Sequence, residues 1–134
     1  MITVESLEIH VSNHCNLSCR GCSHISPLEK KEFLNEENMY LVLKKLSSVL
    51  HCKVIRLLGG EPTLNSNLEN IVSKIKEIGI SDEISIPTNG ILISKLSENI
   101  LNNIDIVEIS NYNYNEKIIK LCKIALKGGL LWTR

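Results

Sequence analysis

The chain has 134 residues, of which 43% are hydrophobic, 22% charged and only 4% aromatic, so it has the length for one domain with an aliphatic core. Fifteen basic residues cancel fifteen acidic ones, leaving no basic footprint for nucleic acid and no acidic tail. No apolar run approaches the roughly 20 residues of a membrane span. A strand-like run from about residue 6 predicts no signal peptide, so the cytoplasm is the expected compartment.

In chain order, Leu7, Ile9 and Val11 alternate with Glu8, His10 and Ser12, the pattern of a strand. Cys15, Cys19 and Cys22 follow within eight residues. The total of five cysteines is odd and three are clustered. A secreted disulfide scaffold usually has even, dispersed cysteines, so metal ligands or redox groups are the better reading. Asn35 is placed to cap a helix. That helix carries Met39, Val42, Leu43, Leu46, Val49 and Leu50 at helical spacing, with Lys44, Lys45, Ser47 and Ser48 toward water. Val54–Leu58 reads as an apolar strand. Leu68, Ile71, Val72, Ile75 and Ile78 give a second helical face, and Gly79 is a C-terminal stop. Glu83–Ile86 is a short strand that Pro87 is expected to end. Leu92, Leu96, Ile100 and Ile104 predict a third helix, and Ile106–Ser110 a fourth strand. Asn115 is expected to cap a fourth helix over Ile118, Ile119, Leu121, Cys122, Ala125 and Leu126. Leu130–Thr133 has the character of a fifth strand's start.

Strands alternating with helices predict parallel βα units. A complete eight-unit barrel takes about 250 residues. About four units fit this length, so the expected fold is α/β, a partial TIM-like barrel with an open sheet.

Chemistry in such folds sits at the C-terminal ends of the strands. Each predicted strand here runs directly into a polar or glycine-rich signature. The first leads to Asn13-His14-Cys15 and the other two clustered cysteines. The second leads to Gly59-Gly60-Glu61-Pro62, the third to Pro87-Thr88-Asn89-Gly90, the fourth to Ser110-Asn111-Tyr112. Four signatures on one rim describe a site. Thiolates are the usual ligands of iron–sulfur clusters. Three of them on a tight loop hold three irons of a four-iron cluster and leave the fourth open to a small molecule, the counterpart of the open position on a catalytic metal.

Cys-x3-Cys-x2-Cys after a first strand, with Gly-Gly-Glu-Pro after the second, resembles the radical S-adenosylmethionine (SAM) family. The likeness runs from about residue 5 to residue 115. Ile55-Arg56-Leu57-Leu58-Gly59-Gly60-Glu61-Pro62 and Thr88-Asn89-Gly90 are similar to members that modify peptides or build cofactors. The resemblance implies a 4Fe-4S cluster on Cys15, Cys19 and Cys22, and SAM chelated by the open iron. It implies reductive cleavage of SAM to a 5′-deoxyadenosyl radical that takes hydrogen from a peptide or small molecule. Gly59 and Gly60 are then expected to let backbone approach SAM, and Glu61 or nearby backbone oxygens to accept from its amino group. Ser110 and Asn111 fall at the position that contacts ribose or carboxylate, and Thr88 and Asn89 line the same cavity. Arg56, if it points inward, needs an anionic partner such as a carboxylate of SAM or substrate. A flavodoxin- or ferredoxin-type electron donor is implied.

Two departures stand out. Gly21 occupies a position that is usually aromatic in the family. The fifth and sixth strands of the usual six-stranded part-barrel lie beyond what the sequence supplies, so residues 1–134 are expected to form one radical SAM core domain truncated before them, with a partner chain as one way to complete the barrel. Other readings remain open at this point. They are a glycyl-radical-enzyme activase, which Cys-Arg-Gly-Cys and the short chain favour, a non-catalytic cluster-binding domain, and a structural zinc site with His14 or His24 as fourth ligand. Cys52 and Cys122 read as buried small residues, and His10 and His51 as ordinary ones.

Overall fold

Apolar alternation and helical periodicity decide where the chain extends and where it coils. The computed structural model describes residues 1–26, 28–110, 116, 120 and 130–133. Its elements run β1 (Ile2–Ser12), α1 (Glu36–Leu46), β2 (Leu50–Gly59), α2 (Leu68–Ile78), β3 (Ser81–Thr88), α3 (Glu98–Asn103), β4 (Ile106–Ile109) and β5 (Leu130–Thr133). The strands form one parallel sheet in the order β1-β2-β3-β4-β5. Each crossover steps one strand further in the same direction. Right-handed crossovers then put the connecting helices on one face. This is the winding of a barrel, without the reversal point of a doubly wound sheet. The expected α/β part-barrel with an open sheet is therefore the observed fold, and Leu130–Thr133 supplies the short fifth strand.

Alternate strand residues face the helices and make the core. Val11, Ile55, Leu57, Ile84, Ile86, Val107 and Ile109 pack there with Met39 and Leu43 of α1 and Leu68, Ile71, Val72 and Ile75 of α2. Burying each such side chain is worth roughly 1.5–3 kcal/mol. The residues between them face the inside of the part-barrel, where Glu8, Arg56, Ser85 and Glu108 lie on four successive strands.

Several boundaries differ from the sequence reading. β1 begins at Ile2, four residues earlier than expected, because it pairs with β2 from Ile2↔Leu50 onward. Asn35 caps α1 as expected, its Oδ1 accepting from Asn38 N–H at 3.0 Å. The helix stops at Leu46, however, so Leu50 opens β2, and Val42 and Val49 are exposed. Gly79 ends α2 in the left-handed conformation. Pro87 does not end β3 but pairs with Glu108 of β4. The ladder to β2 has already finished at Arg56↔Ser85, so no donor is needed on that side. The expected third helix is a 3-10 turn at Ile93–Lys95 and then the short α3, capped by Ser97 Oγ. Ile93, unremarked in the sequence, is buried there. Cys52 is buried in β2, its thiol facing Ile80 O at 3.6 Å. The expected cap at Asn115, Cys122 and most of the fourth helix lie outside the described residues. Glu116 and Lys120 are helical and exposed.

Candidate functional site

The C-terminal rim is assembled by backbone contacts that glycine makes possible. Gly60 N–H donates to Ser12 O at 2.7 Å, and Glu61 N–H to His14 O at 2.9 Å. These bonds join the end of β2 to the start of the cysteine loop. A Cβ on Gly59 would stand 2.0 Å from Ser12 O, and one on Gly60 2.4 Å from His14 O. Backbone atoms cannot yield to that, so both positions require glycine. The space the two glycines leave open is thus filled by the chain's own backbone.

Glu61 then turns inward. It is 1% exposed. Its Oε1 accepts from Thr63 N–H, Thr63 Oγ1 and Thr88 Oγ1, and its Oε2 from Asn89 N–H at 2.9 Å. Pro62–Leu64 continues as a 3-10 turn that Glu61 caps. Asn65 follows, 3% exposed, its Nδ2 donating to Val11 O at 2.8 Å. On the third strand's loop, Asn89 Nδ2 donates to Asn16 Oδ1 at 2.7 Å.

One cavity gathers these groups. Cys15, Cys19 and Cys22 line it together with Gly59, Gly60 and Glu61. Thr88, Asn89 and Ser110 close the other side, and Gly21 and His24 lie at its edge. Its volume is about 250 Å³, close to the low end of the roughly 300–1,000 Å³ range of ligand pockets. Asn111 lies outside the described residues. Sequence reasoning therefore named most of this lining, but missed the residues that brace it from behind, Asn16, Thr63 and Asn65. The signal available for Thr63 was its place in the Pro-Thr turn that follows Glu61, where a hydroxyl commonly closes a local hydrogen bond.

The thiols differ in setting. Burial pushes the Cys15 thiol up, although Leu17 N–H donates to its Sγ at 3.4 Å, and the nearby charges of Glu61, Cys19 and Cys22 raise it further. Cys22 is pulled down, chiefly by the backbone N–H of Ser26, and also by those of His24 and Ile25. Among the described residues no three His, Cys, Asp or Glu side chains converge on a point for a single ion. A four-iron cluster needs no such point, because each thiolate binds a different iron. The donor set of three thiols, with none of the described histidines completing a four-ligand shell, fits that cluster better than a structural zinc. The Ser26 hydroxyl, buried four positions after Cys22, also lowers that thiol.

Arg56 finds its anion within the chain. Its Nε and Nη2 donate to Glu108 at 3.2 and 3.0 Å, and its Nη1 to Glu8 at 2.8 Å. Ser85 Oγ also donates to Glu108. The expected partner on SAM or substrate is thus replaced by Glu108 and Glu8, whose bonds raise the Arg56 pKa further. His51 pairs with Asp82 at 2.9 Å on the far side of the sheet. His10 faces inward, its ring 5.2 Å from that of His24. No helix among the described residues is long and apolar enough to cross a membrane.

Comparison with known proteins gives a consistent picture. The model of the Radical SAM superfamily matches residues 9–127. A probable GTP 3′,8-cyclase of Sulfurisphaera tokodaii is 31% identical over 142 residues, covering 96% of this chain and 45% of that protein. Its counterpart in Methanothermobacter marburgensis is 41% identical over 92 residues, covering 69% of this chain and 30% of the relative. The chain thus spans less than half the length of these relatives. Among solved structures, BtrN in complex with AdoMet and 2-DOIA superposes with a TM-score of 0.70 at 20% identity, over 97% of this chain and 56% of that one. Native anSMEcpe with bound AdoMet and Cp18Cys peptide gives 0.66 at 19% identity, over 96% and 42%. At such identities the structures speak for the fold.

Proposed function

The chain belongs to the radical SAM superfamily, and from that premise we propose that residues 1–134 act as one radical SAM core domain with Cys15, Cys19 and Cys22 as its cluster ligands. Proteins of this superfamily use a 4Fe-4S cluster and S-adenosylmethionine. The observation that carries the proposal is the shared cavity, which three thiols on the first loop and the glycine-rich rim of the next strands line together. Cys15, Cys19 and Cys22 would hold such a cluster, which would supply the electron for reductive cleavage of SAM to methionine and a hydrogen-abstracting 5′-deoxyadenosyl radical.

The chain's own groups do the holding and the shielding. Gly59 and Gly60 set the backbone of the second rim loop against the first, and the carbonyls of that loop lie beside the cavity these residues line. Those carbonyls are acceptors for the SAM amino group, and the Glu61 carboxylate places a negative charge near it. Thr88, Asn89 and Ser110 contribute the polar wall for ribose or carboxylate, and Asn111 is assigned the same role from its place in the sequence alone. The aliphatic layer under the rim keeps water from entering through the sheet. Arg56, Glu8 and Glu108 give the interior below the site a polar floor for the substrate, a peptide or small molecule. An electron donor of flavodoxin or ferredoxin type supplies the reductant, and β1 and β5, the edges of the open sheet, give a partner chain two places to complete the barrel.

The test is anaerobic reconstitution with iron and sulfide, followed by SAM and a strong reductant. A brown protein that yields 5′-deoxyadenosine and methionine is the expected result. A colourless protein holding one tight zinc ion overturns the proposal.

A further inference from the structure

Glu61 lines the cavity, but both oxygens of its carboxylate are already held by the chain's own donors. A carboxylate offers about four acceptor sites. Three donors, Thr63 N–H, Thr63 Oγ1 and Thr88 Oγ1, converge on Oε1, and Asn89 N–H meets Oε2. At 1% exposure the group is also shut away from water. The bonds do not stop at Asn89. Its Oδ1 accepts from Ile91 N–H at 3.0 Å, which fixes the side chain, and its Nδ2 reaches Asn16 Oδ1 at 2.7 Å. Asn16 is the neighbour of Cys15. Among the described residues, this is the one hydrogen bond that ties residues 15–24 to any other strand or loop.

Resting on the cluster assignment above, we infer that Glu61 is a positioning residue, and that Glu61, Asn89 and Asn16 form a brace holding the cysteine loop against the second and third rim loops. SAM's amino group is then left to the backbone carbonyls of the rim. Glu61 acts on the site by fixing three loops at once. Asn16 belongs to the machinery although it carries no chemistry of its own. Glu61→Gln keeps the shape but turns an amide N–H₂ toward one of the four donors, so at least one buried hydrogen bond is lost and a donor is left facing a donor. Asn16→Ala removes the last link only. Asn16 is exposed, so this change leaves the core intact. Asn16→Asp keeps the acceptor and is the conservative rescue.

Arg20 lies in the cysteine loop and is exposed, which makes it a built-in protease reporter. Trypsin cleavage there tracks how often the loop opens. On the full metal-free chain, Asn16→Ala and Glu61→Gln are each expected to speed cleavage after Arg20 by roughly tenfold, about one lost hydrogen bond, with Asn16→Asp close to wild type. Cleavage after Lys30 and Lys31 serves as the control. In reconstituted protein without SAM, the electron paramagnetic resonance signal of the reduced cluster broadens in the first two variants and not in the third. Unchanged cleavage in Asn16→Ala overturns the brace. So does a Glu61→Gln protein with wild-type cleavage and signal that binds SAM more weakly, because the carboxylate then touches the ligand. The protease arm needs no cluster, so a chain that fails to bind iron defeats the functional proposal while the brace is still tested.

Discussion

On the helix-covered face of the sheet, Ile55, Leu57, Ile84, Ile86, Val107 and Ile109 are at most 1% exposed. At the ends of the same strands, Glu61, Thr88 and Asn89 are nearly as buried, at 1%, 3% and 7%, yet all three are polar. The first region is held by non-directional apolar burial, which tolerates exchange of one aliphatic group for another of similar volume. The second is held by hydrogen bonds with fixed partners, where each donor removed strands an acceptor. Stability is thus concentrated in the layer under the helices, and geometry in the rim. A substitution in one region should move a different observable from a substitution in the other.

The largest effect is expected at the thiols. Cys19→Ala should abolish the iron–sulfur absorbance of reconstituted protein while the urea midpoint of the metal-free chain moves little, since Cys19 is only partly buried. A large midpoint shift breaks the comparison, because it makes the loop part of the core. Next is Ile84→Ala, 0% exposed in β3. A cavity there should cost about 2–5 kcal/mol, read as a lower denaturant midpoint at unchanged m-value. Iron content per folded chain should stay near wild type. If it falls in proportion to stability, the two regions are not separable.

Arg56 sharpens the comparison, because it is polar but lies on the strands rather than at the rim. Its side chain and that of Glu108 are 26% and 17% exposed. Arg56→Met removes three hydrogen bonds to carboxylates. Solvent access to Glu8, 50% exposed, limits the damage on that side. A loss of about 1–2 kcal/mol is expected, with wild-type trypsin cleavage at Arg20. Faster cleavage there would extend the rim's hydrogen-bonded scaffold down into the barrel.

What could be read from sequence follows the same division. The aliphatic periodicity of β2, α2 and β3 is dense enough to reveal both elements and order. β1 was read four residues short because its first residues are exposed, with Glu5 and Lys53 forming a surface pair. The third helix was overextended because Leu92, Leu96, Ile100 and Ile104 keep helical spacing across a break that Ser97 makes by capping α3. The cysteines, Gly59-Gly60-Glu61 and Thr88-Asn89 were legible because each sits where a strand ends. The bond between Asn16 and Asn89 joins residues 73 positions apart, and nothing in local pattern pairs one asparagine with another. Arg56 was recognised as needing an anion, but its partner on β4 depends on strand order, which periodicity does not contain.

The smallest effect concerns Gly21, which stands where the family usually carries an aromatic residue. Its φ is +69°, and a Cβ built there meets nothing within 4 Å. Space therefore does not select glycine at this position; backbone conformation does. An L-residue in the left-handed region costs roughly 1–2 kcal/mol, and an exposed loop relaxes part of that strain. Gly21→Ala should thus lower the urea midpoint by less than the equivalent of about 1 kcal/mol. Gly21→Asn should cost less still, because asparagine visits this region readily. Iron content in both should remain near wild type, in contrast to any cysteine variant. If Gly21→Asn instead prevents reconstitution while Arg20 cleavage is unchanged, the loop must change conformation around the cluster. The rim would then be shaped by its ligand rather than by the Glu61 brace alone.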